Sequence, residues 1–223
     1  MVETLERVVR ETEKERYKKI ALENKIKEET FQIAFCGHFS AGKSTLLNQL
    51  VGTELLPTSP IPTSANIICI KHGQLGLNIQ NKDGEWKNWE GEIPWDQVRK
   101  WGMDGAHIQA ITIQAPLPFL HKKSMIYDTP GVDSTDPTHQ EVTLEALQET
   151  DLIVYVMEYN HVQSETNLSF LKQLTDENKP IYIIINQIDK HDEKELSFQS
   201  FDHSVSDTLK NGESVTSNYI TQV

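Results

Sequence analysis

The segment FCGHFSAGKSTLLN at residues 35–48 decides the fold. The apolar run FQIAFC at 31–36 overlaps its start, and KSTLLNQLVG continues from its end. The first run is typical of a strand buried on both faces, and the second of a helix that ends at Gly52. Between them, Gly37 to Ser44 fit the pattern G-x-x-x-x-G-K-[ST], which predicts a loop that binds phosphate.

The residue types in this loop suit a nucleoside triphosphate with Mg²⁺. Glycines let the backbone curl so that successive N–H groups point at phosphate oxygens, and the following helix presents its positive end to the same anion. Lys43 supplies a mobile charge for the β- and γ-phosphates, and the Ser44 hydroxyl is a hard ligand for Mg²⁺. A chance match is the alternative, but the strand before and the helix after are the context that the motif requires. The predicted nucleotide contacts here are Gly37, His38, Phe39, Ser40, Ala41, Gly42, Lys43, Ser44 and Thr45.

Apolar segments alternate with amphipathic ones along the rest of the chain. Strands are expected in NIICIKHG, LGLNIQN, AITIQAP, SMIYD, DLIVYVMEYN and PIYIII, and a helix is expected after each of the last three. The tryptophan-rich stretch at 83–107 is expected to form a local core with a short helix around 95–101. The alternation predicts an α/β fold, a P-loop NTPase three-layer sandwich with a mostly parallel central sheet and helices on both faces.

The N-terminal residues predict a separate helix. Residues 1–28 contain no Gly or Pro, and a thin apolar stripe recurs at helical spacing among many charges. This helix is either a solvated one that leans on the domain or one member of a helical bundle. We divide the chain into this element at 1–29 and a nucleotide-binding domain at 30–223.

Composition limits the possible partners. The net charge of −12 disfavours general attraction to nucleic acid or to an anionic membrane surface. Cys36 and Cys69 each lie in an apolar run, so we expect buried, reduced thiols in a cytoplasmic protein. No stretch approaches the roughly 18 apolar residues of a membrane span, and the charged N-terminus predicts no signal peptide.

Two segments are expected to sense the γ-phosphate. Asp128 ends the strand SMIYD and can reach the Mg²⁺ shell, and Gly131 follows in the stretch Asp-Thr-Pro-Gly and can offer its N–H to the γ-phosphate. The loop at 53–65 lies where a nucleotide switch places a threonine ligand of Mg²⁺. Thr58 and Thr63 are both candidates, and Thr63 is preferred because it stands just before the next strand. An ordinary turn and a plain surface loop are the alternatives.

The stretch Asn-Gln-Ile-Asp after PIYIII predicts the base site. The Asp189 carboxylate can accept hydrogen bonds from N1–H and the exocyclic amine of guanine, a pair of donors that adenine lacks, so it selects GTP over ATP. Asn186 can brace the loop and contact the purine, and Lys190 completes the predicted contacts. Gln187 stands where lysine is usual and can still lie over the base. A helix cap is the alternative.

With these motifs in order, the chain resembles the dynamin superfamily of large GTPases, specifically bacterial dynamin-like proteins. The resemblance covers about residues 30–195 and rests on GHFSAGKSTLLNQLVG, LLPTSPIPTSANI, DTPGVDS and NQIDK. It implies a GTPase that uses GTP, GDP and Mg²⁺, with an N-terminal helix that belongs to a bundle leading to a stalk. It also implies a cytoplasmic protein that associates peripherally with membranes through parts absent from this chain. Only VTSNYITQV is left to supply a last strand, so we expect the domain to be truncated at its C-terminal end.

The resemblance further implies a mechanism. Two heads dimerise across their nucleotide faces, and K⁺ or Na⁺ near Ser40 replaces an arginine finger. The implied catalytic residues are Ser40, Lys43, Thr63 and Gly131, of which Thr63 and Gly131 position the attacking water. Phe39 stands where eukaryotic dynamins carry a glutamine thought to orient that water, which leaves the role to His38 or to backbone groups.

Two other functions remain as alternatives. A translation- or ribosome-associated switch GTPase would bind RNA, which the charge of −12 and the lack of a basic domain disfavour. A non-catalytic GTP-binding module would bind the nucleotide without turnover.

Overall fold

The structure is a computed structural model. It describes residues 16, 19–20, 22–52, 54–56, 66–91, 93–103, 107–132, 143–144, 146–175, 180–211 and 219–221. The strands are β1 (Phe31–Gly37), β2 (Ile68–His72), β3 (Gly76–Asn81), β4 (Trp86–Glu90), β5 (Ile108–Ala115), β6 (Ser124–Asp128), β7 (Leu152–Glu158), β8 (Ile181–Asn186) and β9 (Tyr219–Thr221). The helices with full bounds are α1 (Lys43–Val51), α2 (Trp95–Met103), α3 (Glu165–Thr175) and α4 (Phe198–Asn211).

These strands form one sheet in the order β4-β3-β5-β2-β6-β1-β7-β8-β9. From β6 to β9 every neighbour is parallel, with β1 between β6 and β7. Parallel strands buried on both faces read as continuous apolar runs, which is why these strands could be identified from sequence. Their carboxyl ends lie along one edge of the sheet, where open α/β sheets bind ligands.

The other half of the sheet is mixed. β2 runs antiparallel to β6, β5 runs parallel to β2, and β3 and β4 add two further antiparallel pairings. Five of the eight pairings among the described strands are parallel, which confirms a mostly parallel sheet. Strand β4, an edge strand whose residues are nearly all exposed, was not expected from sequence. Trp89 and Trp101 pack with ring centroids 5.0 Å apart, but Trp86 is 56% exposed, so the aromatic core is smaller than expected.

Helices cover both faces of the sheet, as predicted. Phe35 of β1 belongs to one core cluster together with Leu46 and Leu47 of α1. Its neighbours Ala34 and Cys36 point to the opposite face and belong to a second cluster. That second cluster includes residues from α3 and α4, namely Phe170, Leu171, Leu174, Val205 and Leu209. Alternate residues of β1 therefore face opposite sides of the sheet, and the helices packed on each side make the three layers.

The N-terminal helix is described in part. Residues 22–28 are helical, and Lys25 joins them to the domain through an ion pair of 2.7 Å with Asp151 and a hydrogen bond to the Glu149 carbonyl. The rest of the predicted helix at 1–28 lies mostly outside the described residues, so the division at 29 and 30 stays a prediction. No helix in the described part of the chain is both long and apolar enough to cross a membrane.

Both cysteines are free thiols. Burial raises the pKa of Cys36 to about 12 and that of Cys69 to about 11. Both therefore stay protonated at neutral pH. Cys36 is buried as predicted, whereas Cys69 is only partly buried.

Candidate nucleotide-binding site

The phosphate loop joins β1 to α1 through two glycines in special conformations. Gly37 has φ 143° and ends β1, and Gly42 has φ 82° just before α1 begins at Lys43. A single 3₁₀ turn, Phe39–Ala41, lies between them. L-residues rarely adopt these positive φ values, so the backbone path needs glycine at both positions.

Close packing adds a second reason for glycine. A Cβ atom on Gly37 would lie 2.0 Å from the Val156 carbonyl oxygen of β7. A Cβ atom on Gly42 would lie 2.6 Å from Nδ2 of Asn186, at the end of β8. The loop is thus pressed against the two strands that follow it in the parallel half of the sheet.

We expect Gly37→Ala to lower the free energy of unfolding by about 3 kcal/mol or more, because the new methyl group meets fixed backbone. Gly84→Ala is the matched control, since Gly84 also has positive φ (85°) but an added Cβ there would meet no atom within 4 Å. The control should cost only the left-handed penalty of about 1 kcal/mol. Urea unfolding of both variants measures the difference, and equal losses would contradict the steric argument.

Lys43 lies under the phosphate loop. The residue is 6% exposed, and its Nζ donates to the carbonyl oxygens of Gly37 and His38, each at 3.0 Å. These bonds hold the ammonium group inside the curve of the loop. A nucleotide phosphate entering that curve would meet a buried positive charge. The attraction between the two charges is stronger there than in bulk water.

Ser44 and Asp128, two of the three predicted ligands of Mg²⁺, contact each other. Oγ of Ser44 donates to Oδ2 of Asp128 at 2.7 Å, and the other carboxylate oxygen, Oδ1, is buried without a hydrogen bond from the described residues. Burial raises the pKa of Asp128, against the lowering effects of Lys43 and the Ser44 hydroxyl. A buried, partly unsatisfied carboxylate beside a hydroxyl is an oxygen donor set that fits Mg²⁺. Magnesium would supply the charge that compensates this carboxylate.

The raised pKa gives a prediction about pH. The folded metal-free protein binds a proton at Asp128 more tightly than the unfolded chain does, so this contribution to stability is present at low pH and lost as pH rises through the raised pKa. At neutral pH without Mg²⁺, Asp128→Asn should therefore raise the free energy of unfolding, because the variant carries no buried charge at this position. The same change should remove the stabilisation that Mg²⁺ adds to the nucleotide complex.

Thermal unfolding at pH 5 and pH 8, with and without Mg²⁺ and GDP, checks both parts of this prediction. The exposed Asp83, in the turn before β4, provides the control Asp83→Asn. A variant at Asp128 that is less stable than the parent at pH 8 without metal would show that the carboxylate is not under strain from burial.

The segment after Asp128, residues 129–132, is hydrogen-bonded to β1. The Thr129 N–H and hydroxyl both donate to the Phe35 carbonyl oxygen, at 3.2 and 3.1 Å, and the Val132 N–H donates to the Gly37 carbonyl at 3.2 Å. Gly131 is therefore held beside the start of the phosphate loop. Thr63 and its alternative Thr58 lie outside the described residues, so the structure does not place the predicted third metal ligand.

The predicted base segment also contacts the phosphate loop. Asn186 donates from Nδ2 to the Ala41 carbonyl at 2.9 Å, which is the bracing expected from sequence. Gln187 has φ 63° and donates from Nε2 to the Ser40 carbonyl at 2.8 Å. The sequence allows Gln187 to lie over the base, and in the structure its amide is bound to the phosphate loop. Asp189 and Lys190 lie in the next 3₁₀ turn, and both are exposed.

One residue of this site, Glu158, was not expected from sequence. It ends β7, is 7% exposed, and accepts hydrogen bonds from Ser40 at 2.8 Å and from Lys190 at 2.7 Å. His161 Nδ1 lies 3.3 Å from the same carboxylate. The available signal was a charged residue at the end of an otherwise apolar strand, at the edge where β1, β6 and β8 also end.

The structure thus brings the phosphate loop, Asp128, Gly131 and residues 186–190 together at one edge of the sheet. Residues 33–189 match the sequence profile of the dynamin family. The chain belongs to the dynamin family. It is a dynamin-like GTPase domain, and GTP, GDP and Mg²⁺ are the ligands that membership implies.

Relatives of this dynamin-like domain include longer bacterial proteins. Dynamin-like protein A of Bacillus subtilis is 39% identical over 191 residues, which are 86% of this chain and 16% of that protein. Dynamin-like protein 2 of Campylobacter jejuni is 28% identical over 188 residues, which are 79% of this chain and 30% of that protein. The dynamin-like domain thus spans less than a third of either relative.

A solved structure has the same fold. It is described as an oligomerised bacterial dynamin pair that provides a mechanism for long-range sensing and tethering of membranes. It matches with a TM-score of 0.67 and 22% identity, over 95% of this chain and 42% of that one. The likeness confirms the predicted three-layer α/β fold of this dynamin-like domain.

Proposed function

We propose that this domain is the GTP-hydrolysing head of a membrane-remodelling protein that acts in fusion or fission. Two heads dimerise across their nucleotide faces and activate each other. The observation that carries this proposal is the arrangement of the nucleotide site within a dynamin-family domain, with the exposed Ser40, Asp189 and Lys190 at its rim. A second head can therefore approach the bound nucleotide directly.

The distribution of arginine supports activation from outside the chain. Charge compensation in GTP hydrolysis often comes from an arginine finger. After residue 30 the sequence contains a single arginine, Arg99, in α2, a helix that contacts β5 in the mixed half of the sheet. The head therefore needs another positive charge at the phosphates, from a second head or from a bound cation.

Ser40 is suited to hold such a cation. Its hydroxyl donates its one proton to Glu158 at 2.8 Å, so the oxygen keeps two lone pairs, one of which faces Nδ1 of His38 at 3.4 Å and the other of which can bind a cation. The carboxylate beside it adds negative potential that favours K⁺ or Na⁺. In this proposal Lys43 binds the phosphates, Ser44, Asp128 and Thr63 hold Mg²⁺, and Thr63 and Gly131 position the attacking water.

The remaining assignments concern the base and the membrane. Asn186 and Asp189 recognise guanine. The full-length protein is cytoplasmic and associates peripherally with lipid membranes through parts outside this chain, since the net charge of −12 opposes anionic surfaces. The same charge opposes nucleic acid as a partner.

The test is GTP hydrolysis by the purified domain as a function of protein concentration, with Mg²⁺ and with K⁺, Na⁺ or N-methylglucamine as the other cation. We expect specific activity to rise with concentration in K⁺ or Na⁺ and to stay low in N-methylglucamine. A rate independent of concentration in every salt, despite measurable GTP binding, would contradict activation by dimerisation.

A further inference from the structure

Glu158 is a buried carboxylate between two parts of the nucleotide site. One oxygen, Oε2, accepts a hydrogen bond from the Ser40 hydroxyl of the phosphate loop at 2.8 Å. The other, Oε1, accepts from Nζ of Lys190 in the base segment at 2.7 Å. A carboxylate with this little exposure is stabilised by pairing, and its partners are Ser40, Lys190 and, at 3.3 Å from Oε2, Nδ1 of His161.

The backbone of Glu158 is also fixed by strand pairing in the sheet. It ends β7 and is the register partner of Asn186, the last residue of β8. Ser40 is tied to the same region a second time, because its carbonyl oxygen accepts from Gln187 at 2.8 Å. Both polar groups of Ser40, the hydroxyl and the carbonyl, are thus linked to the segment 186–190.

The charge of Glu158 matters for this linkage. Burial acts to raise its pKa, but hydrogen bonds from Lys190, Ser40 and His161 outweigh burial and hold the pKa below its usual value. The group is therefore ionised at neutral pH and accepts with both oxygens. A glutamine of the same shape has only one acceptor oxygen and cannot receive both Ser40 and Lys190.

We propose that Glu158 is a positioning residue that couples guanine recognition to the phosphate loop by holding Ser40 and Lys190 at once. Lys190 directly follows Asp189, so a fixed Lys190 sets the direction of the carboxylate that reads the base. This inference rests on the proposed role of Asp189. A residue that only stabilised the fold, or only tuned the local potential, would not affect the choice between bases.

The first experiment measures dissociation constants of GDP and IDP, since IDP lacks the exocyclic amine of guanine. Glu158→Gln should lower the preference for GDP over IDP by roughly threefold to tenfold, because the base-reading turn loses its anchor. Glu85→Gln is the matched control. It removes the same charge from an exposed position directly before β4, which is the outermost strand of the mixed half of the sheet. An unchanged preference in Glu158→Gln, with affinity for both nucleotides shifted equally, would reduce Glu158 to an electrostatic role and overturn the inference.

The second experiment is a double-mutant cycle on GDP affinity with Ser40→Ala and Lys190→Met. If Glu158 joins these residues, their effects should be non-additive by roughly threefold or more, and the coupling should disappear when Glu158→Gln is added. Additive effects, or a coupling that survives Glu158→Gln, would overturn the inference. Asp189→Asn, measured in parallel, separates the two proposals, because an unchanged preference in that variant refutes the base site itself while the cycle still decides the role of Glu158.

Discussion

Lys43→Ala is expected to abolish measurable nucleotide binding. The alanine removes the buried ammonium that the Gly37 and His38 carbonyl groups hold inside the phosphate loop. Charge-assisted hydrogen bonds contribute about 1.5–3 kcal/mol each, and losing two phosphate contacts would weaken binding by roughly 10²- to 10⁴-fold. Titration with a fluorescent GDP analogue measures this loss directly.

A loss of folding must be distinguished from a loss of binding. Lys122→Ala, at an exposed loop position, is the control for removing one positive charge. The Lys43 variant should keep its cooperative unfolding transition and lose only the shift that GDP and Mg²⁺ add to it. Binding within threefold of the parent would mean that the phosphates lie elsewhere.

Asp189→Asn is expected to weaken GDP and to relax the choice of base. The carboxylate can accept hydrogen bonds from two donors of guanine at once. An amide accepts a hydrogen bond from one of them and places its own NH₂ group against the other donor. A loss of roughly 10- to 10³-fold in GDP affinity follows from the hydrogen bonds to a charged group. XDP, which carries a carbonyl where guanine has its amine, should gain affinity in the same variant.

Competition between GDP and XDP for one fluorescent nucleotide provides the measurement. Asp83→Asn again controls for the change in net charge. Because Asp189 is exposed, its substitution should leave the free energy of unfolding nearly unchanged, so any change in selectivity is local. If GDP bound equally well to the variant and XDP gained nothing, the base would be recognised by other residues.

Local patterns predicted much of this fold. The apolar runs of β1, β6, β7 and β8 are continuous because both faces of those strands are buried, and Gly37 and Gly42 are dictated by the loop between β1 and α1. Strand β4 escaped notice because an exposed edge strand, WKNWE, carries no buried face to impose a pattern. The inner strands could therefore be located from the sequence, whereas the outermost strand, β4, could not.

The contacts of the site were harder to predict than its members. Glu158 and Ser40 lie 118 residues apart, and only the order of the strands brings them together. The hydrogen bond from Gln187 to the Ser40 carbonyl likewise depends on how closely β8 approaches the phosphate loop, and no local motif encodes that distance. Spacing therefore predicts which groups meet the nucleotide, and the tertiary fold determines how those groups contact one another.

The sheet order has a consequence for the growing chain on the ribosome. The phosphate loop is synthesised early, yet Gly37 packs on Val156, and Ala41 is braced by Asn186, which lies 145 residues away. Contacts across such separations form late, after the chain between them has been made. We therefore expect the nucleotide site to be completed only after β8 has emerged from the exit tunnel, so that nucleotide assists the last stage of folding.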